Sequence, residues 1–361
     1  MKNYKPLLLS LFCTIFLTNN TFSQTIFTAD NNPGALGGTN VFTGATALQD
    51  AIAATTSGDI IHITPGNTNY GIATIDKPLN IFGIGLNPDI DGTLRSRVDT
   101  IIIADPAASG TRISGVFVND AILLGGTAGA LSNLLIENGL VRRVVHTDVT
   151  TTLSNIIIRN NVMGWSLSND DMTILLLHGA MSNIVIANNI IYGTSLNEHG
   201  AVQASNGTSV ENNIFVGSDG NDHAFYNFYS NSVKNNVFIR KQPTAHSSFS
   251  NNAFENNIQY LGAVSFATTV GNTSVNNIDA DPQLTNVPHT QSADFAVLNP
   301  APLAGSPCIG NGEGGTDIGV YGGAVPFSLQ GTLIPLIQSI TVPTMVVEGD
   351  DLEVQIKARG N

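Results

Sequence analysis

The chain has 361 residues, a formal net charge of -13, 42% hydrophobic residues and only 11% charged residues. Amphipathic helices usually carry many Lys and Glu residues, so the low charged fraction and the 36 Gly residues favour short strands joined by tight turns. The acidic balance argues against a nucleic-acid-binding protein, because phosphate contacts need clustered Lys and Arg.

The first residues have the pattern of an export signal. Lys2 and Lys5 precede the apolar stretch LLLSLFCTIFL at 7–17, which is too short to cross a bilayer comfortably. No later segment is long and apolar enough to be a membrane span. The sequence therefore predicts a signal peptide over 1–23 and a secreted or cell-surface protein without a transmembrane segment.

A short amphipathic helix is predicted next. ATALQDAIAAT at 45–55 has apolar residues at helical spacing, and it precedes the strand-like GDIIHITPG at 58–66. The open end of a stack of repeats needs a cover. We therefore expect this helix to cap the first coil.

From about residue 132 the chain repeats a short apolar run, an Asn pair and a second apolar run. The second Asn recurs at steps of 28, 24, 23, 21 and 20 residues, at Asn161, Asn189, Asn213, Asn236, Asn257 and Asn277. This period, with β-branched runs, predicts a β-solenoid in which these Asn residues turn a corner and form a hydrogen-bonded ladder. Roughly eleven compact coils would fit between 58 and 320, with little room for long loops.

Two segments carry a family resemblance. GDIIHITPGNTNYGIATIDKPLNIFGIG at 58–85 resembles the first coils of right-handed parallel β-helix proteins of the pectin lyase-like superfamily. Within 281–323, DPQLTN and DFAVLNPAPLAGSPCIGNGEGGTDIGVYGG resemble the closing segment of its secreted members, of the choice-of-anchor type. The resemblance implies an all-β, single-stranded right-handed parallel β-helix. That superfamily hosts lyases, hydrolases, epimerases, adhesins and inert scaffolds, so the fold alone does not fix an activity.

The domain organisation follows from these segments. We expect a lead with a capping helix at 24–57, the β-helix at 58–323 and a C-terminal β-hairpin appendage at 324–361. Cys308 is the single cysteine outside the predicted signal peptide, so the exported chain could form no internal disulfide.

A second column precedes the Asn pairs and consists of a His followed by small residues. Its steps are 21, 24 and 23 residues, at His178, His199, His223 and His246. The other candidates for a ligand groove beside it are Asp170, Asp171, Glu198, Asp222, Tyr226, Arg240 and Lys241. Two interpretations stay open: a polar groove that contacts a linear polysaccharide or a metal, and a structural ladder of His rings.

No residue set is assigned a catalytic role. Fragments of the hydrolase pattern of the superfamily occur at 169–171, 177–179 and 240–241, but their order and spacing depart from it. Lyases of the superfamily use Arg or Lys as the base, often with Ca²⁺, so the resemblance leaves Ca²⁺ as a compatible cofactor although none is required. A metal site is otherwise unassigned.

The stretch FYNFY at 225–229 offers aromatic rings that could stack on sugars. Strict strand alternation would place Tyr226 and Phe228 on one face and Phe225 and Tyr229 on the other.

The leading hypothesis is a secreted or cell-surface β-helix scaffold that presents an extended face to a polysaccharide or a cell-surface protein. One alternative is a carbohydrate-active enzyme, either a polysaccharide lyase or a glycoside hydrolase that acts on acidic glycans. Another is a structural subunit of a surface assembly, docked through 328–361. For stability, we expect replacement of Asn213 by Val to strain the corner, and replacement of Asn272, expected to be exposed, to matter much less.

Overall fold

The computed structural model describes residues 24–86, 94–164, 172–176, 181–193, 201–218, 220–245, 247–266, 268–288, 298–329, 336–341 and 354–359. Parallel strands dominate it, in one sheet of twelve strands and one of sixteen. This architecture confirms the predicted parallel β-helix. The strands are numbered in chain order and form three columns around the coil.

Column 1 is the twelve-stranded sheet, and apart from β1–β2 each strand pairs with the equivalent strand of the next coil. Its members are β1 (Ile26–Asp30), β2 (Val41–Thr43), β3 (Ile60–Ile63), β5 (Asn80–Phe82), β7 (Arg112–Ser114), β9 (Gly129–Glu137), β12 (Thr151–Arg159), β15 (Met181–Ala187), β18 (Thr208–Glu211), β21 (Ser232–Lys234), β25 (Ala253–Glu255) and β27 (Thr273–Val275).

The sixteen-stranded sheet divides into two columns. It starts with three strands, β4 (Ile72–Thr74), β6 (Arg97–Ile103) and β8 (Phe117–Leu124), and the two halves of β8 pair with different strands of the next coil. Column 2 contains β10 (Leu140–Val141), β13 (Val162–Met163), β16 (Ile190–Tyr192), β19 (Ile214–Val216), β22 (Val237–Ile239), β26 (Ile258–Tyr260) and β28 (Ile278–Asp279). Column 3 contains β11 (Val144–His146), β14 (Ile174–Leu175), β17 (Val202–Ser205), β20 (His223–Tyr229), β23 (Gln242–Ala245) and β24 (Phe249–Ser250).

The N-terminal end of the stack is covered by helix α1 (Ala47–Ala54), as predicted. Its buried face consists of Ala47, Leu48, Ala51 and Ile52, and it packs against the first strands of the solenoid. Column 1 already begins at β1, before this helix, because β1 pairs in register with β3.

The coil interior is an apolar core lined by side chains from most strands of the three columns. Within it, the predicted Asn column forms a continuous ladder. The backbone N–H and Nδ2 of Asn189 donate to Oδ1 of Asn213 at 2.9 and 3.0 Å, and Asn213 donates in the same way to Asn236 at 2.9 and 3.0 Å. The same pattern joins Asn161 to Asn189 and continues to Asn277. Each buried amide is therefore satisfied by its neighbours along the axis.

The two residues of each Asn pair have separate tasks. The left-handed backbone conformation falls on the first Asn, as at Asn188 (φ 54°) and Asn212 (φ 56°), and not on the ladder residue that follows. The expected backbone strain at Asn213 is therefore wrong, because the turn is made one residue earlier. An Asn side chain tolerates this conformation better than most others.

A second inner ladder was not predicted from the sequence. The backbone N–H of Asn231 donates to Oδ1 of Asn252 at 3.1 Å, and that of Asn252 donates to Oδ1 of Asn272 at 3.0 Å. Asn272 is 4% exposed, so the expectation that it lies on the surface is wrong. Successive members of this ladder are 21 and 20 residues apart, which matches the coil period.

The segment that follows the coils turns back along them. β29 (Leu284–Asn286) pairs antiparallel with β30 (Asn299–Pro302), and residues 308–323, here called the strap, then cross the outer side of column 2. The short 3₁₀ turn Glu313–Gly315 lies within the strap, and another, Pro106–Ala108, follows β6. Coil stacking therefore ends at Asp279 rather than near residue 320.

The first Asn of three successive pairs holds the strap. Asn188 Nδ2 donates to the carbonyls of Val320 and Gly322 at 2.9 and 2.8 Å. Asn212 Nδ2 lies 3.2 Å from the carbonyls of both Asp317 and Gly319. Asn235 Oδ1 accepts the backbone N–H of Glu313 at 3.0 Å. Cys308, the first residue of the strap, is buried, and this burial raises the pKa of its thiol to about 11.

A second hydrophobic cluster lies between the strap and column 2. The outward side chains of column 2, such as Ile190, Ile214 and Val237, pack against Ile318 and Val320. This explains the three apolar residues that follow the Asn pairs at 188–189, 212–213 and 235–236: the middle residue enters the coil core and its neighbours pack under the strap.

The chain ends in the predicted C-terminal hairpin. β31 (Leu336–Thr341) and β32 (Gln355–Arg359) pair antiparallel.

Candidate ligand-binding face

The corner between columns 2 and 3 is one place where successive coils differ in length. Two residues join β22 to β23, whereas ten join β13 to β14 and nine join β16 to β17. The sequence predicted uniformly compact coils, but both this corner and the return from column 3 to column 1 vary, since five residues join β14 to β15 and two join β17 to β18. Glycine is required at the corner between columns 2 and 3, since a Cβ at Gly164 would lie 1.7 Å from the carbonyl oxygen of Tyr192.

Three of the predicted groove residues, Asp222, Arg240 and Lys241, lie at this corner. Six others, namely Asp170, Asp171, His178, Glu198, His199 and His246, lie outside the described residues. The predicted His column is therefore represented by His223 alone, and its arrangement stays a prediction.

Asp222 and Lys241 are fully buried in the corner. The Asp222 carboxylate accepts the backbone N–H and hydroxyl of Ser218 at 2.8 and 3.1 Å. Lys241 Nζ donates to the carbonyl of Gly193, two coils away along the axis, at 2.5 Å. These two charged residues hold the corner together and do not present their side chains to solvent.

Strand β20 presents two tyrosines on its outer face, a pattern that simple alternation does not give. Asn227 has φ 43°, and the pairing of β20 with β17 shifts register at this point. Phe225 and Phe228 therefore both enter the core, where their rings stack with centroids 4.1 Å apart. Tyr226 and Tyr229 both remain half-buried on the outside. The predicted grouping of these four aromatic residues is wrong because of this one kink.

His223 lies at the start of β20, on the same outer side. It is half-buried, and its Nδ1 lies 2.9 Å from the hydroxyl of Thr244 on the next coil. Gln203, the register partner of Tyr226 on the preceding coil, is only 6% exposed. We call the outer side chains of His223, Tyr226, Tyr229 and Thr244 the column-3 face. It combines aromatic rings with neutral hydrogen-bonding groups.

Several arginines that could otherwise serve as basic groups of a site form ion pairs or hydrogen bonds within the stack. Arg143 Nη2 lies 2.9 Å from Asp120, and Arg240 Nη1 lies 3.4 Å from the carbonyl of Ser218. Arg159 Nη2 lies 2.7 Å from the almost fully buried Glu137, whose other oxygen accepts from Arg112 Nε at 2.8 Å.

Both ion pairs of Glu137 belong to a ladder of charged side chains that was not predicted from the sequence. Five stacked positions of column 1 are charged, and those on neighbouring coils have opposite signs, as with Glu137 and Arg159 or Lys234 and Glu255. Ala187 and Val275 occupy the same position on two other coils without a charge. Lys234 and Glu255 are 3.2 Å apart. The signal was present in the repeat itself, because opposite charges one coil period apart become direct neighbours in parallel strands.

Within the described residues, no group of three or more His, Cys, Asp or Glu side chains is placed to hold a metal ion. The compatibility with Ca²⁺ therefore stays a prediction. In the same part of the chain, no helix has the length and apolar character of a membrane span.

Comparisons with known proteins assign no family to this chain. Neither a scan against protein-family models nor a search of curated proteins finds a match for this chain. The arguments about function therefore rest on the repeat, the fold and the outer faces.

Proposed function

We propose that this protein is an exported, non-catalytic β-helix scaffold that binds a polysaccharide along the column-3 face. The observation that carries this proposal is the pair of outward tyrosines, Tyr226 and Tyr229, on one strand of a rigid stack. Aromatic faces pack against the C–H faces of sugar rings, and a tyrosine hydroxyl can hydrogen-bond at the same time.

Neighbouring groups on this face suit an extended polar ligand. Thr244 lies one coil after His223. Rungs of a parallel sheet are about 4.8 Å apart, so the face offers aromatic and hydrogen-bonding groups on two neighbouring coils. A polysaccharide chain that crosses the coils could contact both.

Two features support a binding role over catalysis. The described acids and bases at the corner, Asp222, Arg240 and Lys241, are buried or hydrogen-bonded. The described side chains of the column-3 face are mostly neutral. Export is supported by the apolar stretch at 7–17, which lies outside the described residues. The carbohydrate-active enzyme and the structural subunit remain the alternatives.

The test is glycan binding by the double variant Tyr226→Ala/Tyr229→Ala. Affinity gel electrophoresis and calorimetry against neutral and uronate polysaccharides should identify a ligand of the native chain. Loss of two stacking rings should weaken its binding by about 1–3 kcal/mol, roughly 5- to 100-fold. Tyr226→Phe/Tyr229→Phe retains both rings and should bind almost as well.

The control is Leu36→Ala, at a side chain 88% exposed and distant in sequence from this face. Undiminished binding by the double Ala variant would contradict the proposal. Release of new reducing ends or unsaturated uronates from the bound glycan would favour the enzyme instead.

A further inference from the structure

A separate cleft lies where column 2 gives way to the antiparallel pair β29–β30. It has a volume of about 280 Å³ and lies among Ile239, Tyr260, Asp281, Leu284, Thr285 and Asn286. Pockets for drug-sized ligands typically measure about 300–1,000 Å³, so this cleft matches a single ring rather than a long oligomer.

One wall of the cleft is apolar and belongs to the stack. Ile239 and Tyr260 are register partners on adjacent coils and lie on the outer side of column 2. Tyr260 is only half-buried, so part of its side chain is open to a ligand. The position of this wall is fixed by the parallel pairing of β22 and β26.

The opposite side is polar and held by its own hydrogen bonds. Asp281 Oδ1 accepts the backbone N–H of Gln283 at 2.8 Å. The hydroxyl of Thr285 donates to the carbonyl of Ala301 at 2.9 Å, which leaves its oxygen lone pairs as acceptors. Both side chains are exposed, and their orientation is set before any ligand arrives.

We propose that this cleft binds a single neutral sugar residue, either free or at the end or branch of a glycan. The aromatic wall provides a surface for the ring face, and the carboxylate and hydroxyl oxygens accept hydrogen bonds from sugar hydroxyls. The Asp281 charge disfavours uronates and phosphorylated sugars, because a like charge would have to approach it.

A cation explains the cleft less well. Ca²⁺ requires six to eight oxygen ligands as a rule, whereas Asp281 is the one carboxylate among the lining residues. The side chains of Ile239 and Leu284 supply no oxygen ligand for a cation.

This inference does not depend on the column-3 face. The cleft lies on the outer side of column 2 and at the end of the stack, and its lining shares no residue with that face. Either site could bind a glycan while the other does not.

The experiment uses the full chain and small probes that cannot span both sites. Saturation-transfer NMR and calorimetric titration are carried out with the methyl glycosides of glucose, galactose and mannose and with methyl galacturonide. At least one neutral glycoside should receive saturation and bind, and the galacturonide should bind more weakly. Tyr260→Ala should weaken binding at least about tenfold, through loss of the stacking surface.

Matched variants separate binding from folding. Tyr260→Phe keeps the ring and should retain affinity within about threefold, since a single exposed hydroxyl contributes about 1 kcal/mol or less. Asp281→Asn keeps an acceptor for Gln283 but removes the charge, so it should reduce the discrimination against galacturonide. Asp279→Asn, two residues earlier, is the control for charge. Tyr226→Ala/Tyr229→Ala should leave monosaccharide binding unchanged.

Two results would overturn the inference. One is a native protein that binds no neutral glycoside at millimolar concentration. The other is a Tyr260→Ala variant that melts like the native chain and binds with unchanged affinity. Neither result bears on polysaccharide binding at the column-3 face, so the two proposals fail separately.

Discussion

At the scale of the residue, asparagine side chains form many of the buried hydrogen bonds that join successive coils. The ladder member Asn213 donates to the carbonyl of Ile186 at 2.8 Å and to Oδ1 of Asn236, and it accepts from Asn189. All of these groups are buried. Removal of one rung therefore leaves several polar atoms without partners in a region that water does not reach.

Asn213→Ala should lower the free energy of unfolding by about 2–4 kcal/mol, because at least two buried partners lose their hydrogen bonds. Asn272→Ala should also destabilise, by about 1–3 kcal/mol, since Asn272 is a buried member of the second ladder. Chemical denaturation with circular dichroism measures both.

The control for these variants is Asn133→Gly. Asn133 has φ 58° and lies in an exposed ladder with Asn155, so glycine keeps its backbone and removes only a solvated contact. It should cost less than about 1 kcal/mol. If the control lowered the free energy of unfolding as much as Asn213→Ala, the buried ladder would stabilise the fold no more than an exposed contact does.

At the scale of the element, the strap shows how one repeat serves two purposes. The second Asn of a pair faces the axis, whereas the first turns outward and is free to bind another segment. Three such residues, Asn188, Asn212 and Asn235, lie on successive coils and contact backbone groups of the strap. Apolar contacts of Ile318 and Val320 complete the attachment.

The double variant Asn188→Gly/Asn212→Gly should loosen the strap without unfolding the coils. Glycine retains the left-handed backbone at both positions, so the change removes only the side-chain hydrogen bonds, each worth about 1 kcal/mol. Hydrogen exchange at 317–322 should accelerate by about tenfold or more, while exchange at 154–159 stays as in the native chain.

Asn256→Gly is the matched control for the strap. Asn256 has the same conformation, φ 52°, two coils beyond Asn212, and none of its described contacts reaches the strap. Slow exchange at 317–322 in the double variant would show that the apolar contacts alone hold the strap.

The sequence predicted the repeating elements and the one helix with regular apolar spacing. The Asn column and the parallel stacking follow from the period, and the capping helix at Ala47–Ala54 follows from its apolar spacing, which are local signals. The strap could not be predicted, because its attachment joins residues more than one hundred positions apart, as Asn188 and Val320 are. The kink at Asn227 was missed since a single residue of left-handed conformation overrides strand alternation.

The candidate sites were predictable to a smaller extent. Tyr226 and His223 do lie on one outer side, but Asp222 and Lys241 enter the interior of the corner. Sequence distance alone does not reveal which side of a corner a charged residue faces. The cleft beside Tyr260 had no sequence signal, because its two sides come from a coil and from a non-repeating segment.

At the scale of the whole molecule, the two ends of the stack differ. Helix α1 covers the first coil with four buried side chains. Val275 and Ile278, on the last described strands of columns 1 and 2, are 49% and 36% exposed. A solenoid contacts itself only between neighbouring coils, so its stability is distributed along the axis rather than concentrated in one centre.

This difference predicts a gradient of opening. A terminal coil has one neighbour and an interior coil has two, so local unfolding should begin at 273–279 and spread toward the N-terminus. Hydrogen exchange by mass spectrometry should show protection at 273–279 at least about tenfold lower than at 154–159, where Ile156 and Ile158 are fully buried. Residues 60–63, beneath the capping helix, should be protected nearly as well as the central coils. Uniform protection along the axis would instead indicate that the stack unfolds as a single cooperative unit, because nearest-neighbour contacts alone cannot give partly exposed terminal strands the protection of the central ones.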